Sequence, residues 1–158
     1  MKIVSLLPSA TEIVYALGLG DDLVGVTYEC DYPEEAREKP VVSDTALPQD
    51  RPLTSAEIEQ EVRDRMDRRE PIYTLNKELI QREQPDLILA QDLCRVCAVP
   101  SGQVEDALAE LGCTSDVVSL DPKNLGEILD GIEQVGRATG TEDQATDVVA
   151  SLRDRIEA

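Results

Sequence analysis

Histidine, tryptophan and phenylalanine are absent from the 158-residue sequence, and tyrosine occurs only four times. Without an imidazole the chain has no Ser-His-Asp or Cys-His catalytic group and no histidine ligand for zinc, iron or haem. The Gly-x-Gly-x-x-Gly pattern of dinucleotide sites is missing as well. Ser9 has no base to activate it. We therefore expect no enzymatic activity, no catalytic residue and no metal site.

Positive charge is also scarce, since 15 Lys and Arg residues face 33 Asp and Glu residues and the formal net charge is −18. A surface this negative repels a phosphate backbone and an anionic membrane. No apolar run approaches the ~20 residues of a membrane span. The hydrophobic fraction of 41% is nevertheless that of a folded chain. We expect a folded acidic protein that neither binds nucleic acid nor inserts into a membrane.

The first residues lack the features of an export signal. The apolar stretch 3–7 is shorter than the apolar region of a secretory signal, and no small-residue cleavage site follows it. Taken by itself, this pattern predicts a cytoplasmic location.

Short apolar runs alternate with helical patterns along the chain. Strands are predicted at 3–7, 23–26, 87–90 and 117–120, with a further short strand at 41–42. Helices are predicted from the Ser-Ala-Thr-Glu capping box at Ser9, from Thr54, over 75–83, from Pro100, over 124–139 and from Thr141. This alternation predicts an α/β fold, a three-layer Rossmann-like lobe with a parallel sheet of about four strands.

Ligands bind beyond the carboxyl ends of the strands in such sheets. The turn at Pro8 and Ser9 and the loop 91–99 follow two of the predicted strands, and both would stand at that edge. Most carboxylates of so acidic a chain are solvated surface. Glu29 and Asp92, in loops at the edge, and Glu78, at the start of a helix, are the candidates for a specific role.

The last helical pattern remains apolar at Ile156, two residues before the end of the sequence. A helix with an apolar stripe of this length packs on something that follows it. We therefore expect the chain to be the N-terminal lobe of a larger protein, with the second lobe missing.

The four cysteines leave several interpretations open. Cys94 and Cys97 form a Cys-x-x-Cys motif, which could be a structural loop pair or disulfide, a ligand contact, or a thiol pair for redox or metal chemistry. A zinc site would need Cys30 to join this pair, with Cys113 close by. Cys113 is most simply a small buried hydrophobic residue.

Four stretches together resemble the cobalamin-binding and iron-siderophore-binding periplasmic binding proteins of ABC importers. These are the strand and helix start at 3–12, the second strand and aromatic loop at 24–33, the helix and Pro-Asp-Leu strand at 78–90, and the loop 91–99. The resemblance implies a substrate-binding protein with two α/β lobes and a ligand cleft between them. Residues 1–140 would be the N-terminal lobe, and 141–158 the start of the helix that joins the lobes.

The resemblance also implies a role for individual residues. The residues that would face the ligand are Pro8, Ser9, Ala10, Tyr28, Glu29, Gln91, Asp92 and Leu93. Glu78 would dock onto the membrane permease of the importer. The expected ligand is cobalamin, bound without a covalent link, and a protein that serves such a transporter works outside the cytoplasm.

Two alternatives remain open at this stage. One has a ferric siderophore or haem as the ligand of the same kind of binding protein. The other belongs to a different class, a cytoplasmic corrinoid-handling or thiol-redox protein that uses Cys94 and Cys97.

Overall fold

One mixed sheet organises the part of the chain that the computed structural model describes, residues 1–92 and 98–158. Its strands are β1 (Ile3–Ser5), β2 (Leu23–Thr27), β3 (Val41–Thr45), β4 (Tyr73–Leu75), β5 (Leu87–Ala90) and β6 (Asp116–Ser119). They lie side by side in the order β4-β3-β2-β1-β5-β6. The predicted residues Leu93, Cys94 and Cys97 lie outside the described residues.

Six α-helices are found in the same described ranges. They are α1 (Pro8–Ala16), α2 (Ser55–Arg68), α3 (Lys77–Glu83), α4 (Ser101–Leu111), α5 (Leu125–Thr139) and α6 (Glu142–Glu157). Among the residues described, none of these helices combines the length and the apolar character needed to cross a lipid bilayer.

The four predicted main strands are present, and they are parallel. β1 lies between β2 and β5, and β5 pairs with β6. The short strand predicted at 41–42 is also present as β3, parallel to β2. The antiparallel edge strand β4 is absent from the prediction, which assigned Leu75 to a helix; Leu75 instead pairs with Ser43 of β3.

Alternation of side chains along the strands divides the core into two layers. In β5, Leu87 and Leu89 pack toward α1, α5 and α6, whereas Ile88 and Ala90 pack toward α3 and α4. All four side chains are almost completely buried. A strand that is apolar on both faces needs helices on both sides. The three-layer architecture is therefore confirmed.

The first helix begins two residues earlier than predicted, since a capping box at Ser9 would make Ala10 the first helical residue. Pro8 occupies the first turn and Leu7 is the N-cap residue, with no side-chain hydrogen bond to the helix start. Proline suits this position because its φ is already helical and it has no N–H to satisfy. The capping box predicted at Ser9 is therefore wrong, and the Ser9 side chain is exposed.

A tight turn connects α5 to α6. Gly140 adopts φ +70°, and the N–H of Thr141 donates to the carbonyl oxygen of Gly136 over 2.8 Å. Gly136 faces Ala145 so closely that an added Cβ would lie 2.5 Å from the Ala145 Cβ. The backbones of the two helices therefore lie close together at this point. The assignment of 141–158 to an interlobe helix stays a prediction.

Candidate functional site

The carboxyl ends of the parallel strands meet at one edge of the sheet, where ligands bind in open α/β folds. Five side chains that follow these strands are grouped here as the strand-edge site: Ser9, Tyr28, Glu29, Asp92 and Asp121. Ser9 follows β1, the pair Tyr28 and Glu29 follows β2, Asp92 follows β5, and Asp121 follows β6. Asp121 was not among the residues predicted from the sequence.

A buried polar chain holds two of the edge loops together. The Thr11 hydroxyl donates to the Ser5 hydroxyl over 2.8 Å, and the Ser5 hydroxyl donates to the Leu7 carbonyl oxygen over 3.0 Å. Thr11 Oγ1 also lies 3.0 Å from Cys30 Sγ. Burial raises the pKa of the Cys30 thiol, so this cysteine is a neutral bonding partner rather than a nucleophile. The start of α1 is thereby fixed against the loop that follows β2.

Asp92 joins the other two edge loops. Its carboxylate accepts from the Ser101 N–H (3.0 Å), the Ser101 hydroxyl (2.6 Å) and the Ser119 hydroxyl (3.0 Å). Its own N–H donates to the Asp121 carboxylate over 2.5 Å. A carboxylate at the first residue of α4 is favoured by the positive end of the helix dipole. Asp92, predicted as a ligand contact, is thus also a structural link between β5, β6 and α4.

Two tyrosines and a glutamate cluster beyond β2. The Tyr28 hydroxyl donates to the Glu29 carboxylate over 3.3 Å, and the Tyr28 side chain is exposed. Partial burial of the phenol, and then the negative charge of Glu29, raise the pKa of Tyr28. Burial, with a smaller contribution from Glu29, raises the pKa of Tyr73 to about 12. Both phenols therefore stay protonated near neutral pH. Tyr73 belongs to β4, the strand that the sequence analysis missed.

A cavity of about 430 Å³ opens beside Ser9, between the start of α1, the loop after β6 and the first turns of α5. Ile13 and Ile128 give it an apolar wall, and Asp121 lies at its polar side. This volume falls within the ~300–1,000 Å³ of small-molecule pockets. Of the three residues predicted at the β1–α1 turn, Ser9 lines this cavity, whereas Ala10 is fully buried in the core and Pro8 is half-buried. Gln91, at the end of β5, is half-buried.

Glu78 lies apart from the strand-edge site. It is exposed in the first turn of α3, which Asn76 caps by accepting from the Leu79 N–H over 3.0 Å. The Asn76 N–H donates to the carbonyl oxygen of Val42, in the body of β3, so α3 starts below the edge. A docking role for Glu78 stays a prediction.

The described cysteines cannot share one metal ion. Cys30 packs on the α1 face of the sheet and Cys113 on the α4 face. A zinc site that includes both Cys30 and Cys113 is therefore excluded, because the sheet separates them. Cys113 is buried, as predicted for a small hydrophobic residue. Across residues 1–92 and 98–158, no three His, Cys, Asp or Glu side chains form a group that could hold a metal ion.

Residues 3–158 match the Periplasmic binding protein family. The chain belongs to this family. It is 32% identical over 156 residues to an uncharacterized ABC transporter substrate-binding lipoprotein of Bacillus subtilis, covering 98% of this chain and 39% of that protein. The resemblance suggested by the sequence motifs is thereby confirmed.

Two solved structures share the fold of this periplasmic binding protein. The vitamin B12 binding protein of Vibrio cholerae is 29% identical with a TM-score of 0.67, and a possible iron-binding protein of Staphylococcus epidermidis is 28% identical with a TM-score of 0.69. Each alignment covers 99% of this chain and 48% of the other chain. The chain thus spans less than half the length of these relatives, and its fold corresponds to one lobe of the family.

Proposed function

We propose that this chain is the N-terminal lobe of a substrate-binding protein for an ABC importer, which binds cobalamin or a related corrinoid between two lobes and does not transform it. The observation that carries the proposal is the family match over residues 3–158 together with the 29% identity to a vitamin B12 binding protein. The location implied by such relatives is extracytoplasmic.

The geometry of the strand-edge site supports this proposal. Binding proteins of this kind hold a ligand with apolar walls and a few directed polar groups. Ser9 and the apolar cavity wall supply one such surface, and the exposed Tyr28 ring supplies another. The Ser5–Thr11–Cys30 chain keeps both surfaces in place before ligand arrives, which reduces the ordering cost of binding.

Titration of the full-length protein with cyanocobalamin tests the proposal. We expect saturable binding of one ligand per protein, and Tyr28→Ala should weaken it because the exposed ring is lost. Val41→Ala is the control, since the Val41 side chain is about as exposed as that of Tyr28 and lies at the opposite, amino-terminal end of β3. Absence of cyanocobalamin binding would contradict the proposal.

We further propose that Glu78 contacts the permease. A rim charge of this kind steers association and fixes orientation more than it adds affinity. Glu78→Lys should therefore reduce permease-dependent uptake and leave the ligand Kd unchanged. The control is Asp106→Lys, a charge reversal at an exposed residue of the neighbouring helix α4. Glu83 is a poor control because it pairs with Lys2 and Arg82. Equal loss of uptake in both variants would reduce Glu78 to part of a diffuse negative field.

A ferric chelate is the second candidate ligand. The 28% identity to a possible iron-binding protein favours it. Parallel titrations of the full-length protein with cobalamin, haem and ferric siderophores decide between the two.

A further inference from the structure

The loop 28–33, called the β2 loop from here on, carries the exposed Tyr28 ring of the strand-edge site. Cys30 is the one buried residue among these six, all of which the structure describes. Asp31 pairs with Arg37 over 3.7 Å, but both side chains are exposed, and an exposed ion pair contributes little to stability. Cys30 is therefore the point at which the middle of the β2 loop is held to the core.

Thr11 is fully buried in α1, and its hydroxyl contacts both other members of the buried polar chain. Because the single proton of that hydroxyl is donated to Ser5 over 2.8 Å, the Cys30 thiol, 3.0 Å away, is the donor to Thr11 Oγ1. The Ser5 hydroxyl in turn donates to the carbonyl oxygen of Leu7, the N-cap residue of α1, so each buried hydroxyl both donates and accepts. The β2 loop is thereby tied to the start of the helix that carries Ser9.

Removal of the Thr11 hydroxyl would disturb the two sides of this contact unequally. The Cys30 thiol would lose its acceptor and the Ser5 hydroxyl its donor, and a buried polar group that loses its partner costs more than the net contribution of the bond. The start of α1 has no room to respond, since Ala10 and Val14 are fully buried against the core. The β2 loop is exposed apart from Cys30, and an outward movement brings water to the thiol. The loop is therefore the side that moves.

We propose that Thr11 is a positioning residue of the strand-edge site, an inference that rests on the proposed function. Its hydroxyl holds the β2 loop against the start of α1 and keeps the Tyr28 ring in the place where it contacts the ligand. When only a fraction of the molecules has the loop in place, the apparent affinity falls with that fraction. The contribution of Tyr28 to binding therefore depends on Thr11, although Thr11 is too deeply buried to touch a ligand.

Amide hydrogen exchange of the ligand-free, full-length protein tests whether Thr11 holds the loop. The Cys30 N–H donates to the Thr27 carbonyl oxygen over 3.0 Å and reports on the β2 loop. Thr11→Val should accelerate its exchange by about tenfold, whereas Thr11→Ser keeps the hydroxyl and should exchange nearly as slowly as the parent protein. Cys30→Ala is a second, milder variant, because it removes the same link and leaves the bond between Thr11 and Ser5 intact. It should also accelerate exchange in the loop.

Thr27→Val is the matched control, since it makes the same substitution at a buried threonine of the same edge. The Thr27 hydroxyl donates to the Ser43 carbonyl oxygen over 3.4 Å. That oxygen also accepts from the Tyr28 N–H over 2.9 Å, so it keeps a partner when the hydroxyl is lost. We expect the exchange of the β2 loop to be unchanged in this variant.

Titrations with cyanocobalamin measure the dependence of Tyr28 on Thr11. Tyr28→Ala should weaken binding by about tenfold in the parent protein, as expected for an aromatic contact. Thr11→Val should itself weaken binding by about threefold, and in that background Tyr28→Ala should cost only about a further threefold, because part of the contribution of the ring is already lost. Leu108→Ala is the control background, since Leu108 is buried on the other face of the sheet. Tyr28→Ala should keep its full effect there, which separates positioning from a general loss of stability.

The outcomes distinguish this inference from the proposed function. If Thr11→Val and Cys30→Ala leave the exchange of the β2 loop unchanged, or if Tyr28→Ala weakens binding equally with and without the Thr11 hydroxyl, the positioning role is overturned while corrinoid binding stands. If the full-length protein binds no cyanocobalamin, the proposed function is overturned, and the link between Thr11 and affinity is overturned with it. The exchange rates then still decide whether Thr11 holds the loop.

Discussion

Helices α2 and α5 are nearly equal in length and are held to the protein in different ways. α5 buries Leu129, Ile132, Val135 and Gly136 against the sheet and α6, whereas α2 has no buried residue. Both start with a polar cap, so their termini do not explain the difference. Apolar burial makes α5 part of the core, whereas α2 lies at the surface with its Val62 side chain only half-buried.

Arg65 links α2 to the sheet edge. It bonds to backbone carbonyl oxygens on both sides of the β3–β4 pair. Such bonds are individually small in net free energy. We therefore expect α2 to open locally without unfolding the lobe, and α5 to open only when the whole lobe unfolds.

The largest expected effect follows from removing buried volume in α5. Ile132→Ala should lower the free energy of unfolding by about 2–5 kcal/mol, because it removes core contacts and leaves a cavity. Denaturant unfolding measures it. Ile58→Ala in α2 is the control, since Ile58 is 42% exposed, and it should change the free energy far less. Equal losses would show that α2 belongs to the core after all.

A smaller effect is expected at the contact between α5 and α6. Gly136→Ala places a Cβ 2.5 Å from that of Ala145, and such overpacking costs about 1–3 kcal/mol. Gly102→Ala in α4 is the matched control, because no atom lies within 4 Å of its added Cβ. Helix propensity should make that variant slightly more stable. Thermal unfolding of both variants measures these changes in stability. A Gly136→Ala variant that is more stable than the parent protein would show that α5 and α6 are not in close contact.

The N-caps of the two helices distinguish local from global stability. Thr54 accepts from the Glu57 N–H at the start of α2, and Asn124 accepts from the Glu127 N–H at the start of α5. Loss of either cap costs about 0.5–2 kcal/mol. Asn124→Ala should lower the global free energy of unfolding. Thr54→Ala should leave it unchanged and accelerate amide hydrogen exchange only within α2.

Residue patterns predict the central part of this fold because its signals are local. Leu87 to Ala90 is apolar throughout, and that alone indicates a strand covered on both faces. β4 has only three residues and one buried side chain, Tyr73. Its strand character comes from pairing with β3, which is distant in sequence, so no local pattern reveals it.

Local sequence patterns are limited in the same way at the strand-edge site. The loop positions of Ser9, Tyr28 and Asp92 follow from strands that the sequence predicts. Their hydrogen-bond partners do not follow from these patterns. The Asp92 carboxylate accepts hydrogen bonds from Ser101 and Ser119, and only the folded sheet brings these two residues close to it. Topology thus places the edge residues, and long-range hydrogen bonds decide which of them also have a structural role.

The smallest expected effect is a pH dependence confined to the start of α2. The Arg51 guanidinium first, and then the Thr54 N–H and hydroxyl, lower the pKa of Glu57 to about 2 from its usual 4.5. A carboxyl group whose pKa is lower in the folded state stabilises that state above the unfolded pKa, and the contribution disappears as pH falls toward the folded pKa. The start of α2 should therefore weaken between pH 4.5 and about 2.

An NMR titration that follows the Glu57 side-chain carboxyl and the backbone shifts of α2 measures this effect. Because both partners are exposed, salt should reduce the shift. Glu57→Gln removes the titrating group, so α2 in that variant should lose this pH dependence while α5 stays unchanged. If α5 weakens in the same pH range and to the same extent as α2, the two helices open together, and the distinction between a core helix and a surface helix is wrong.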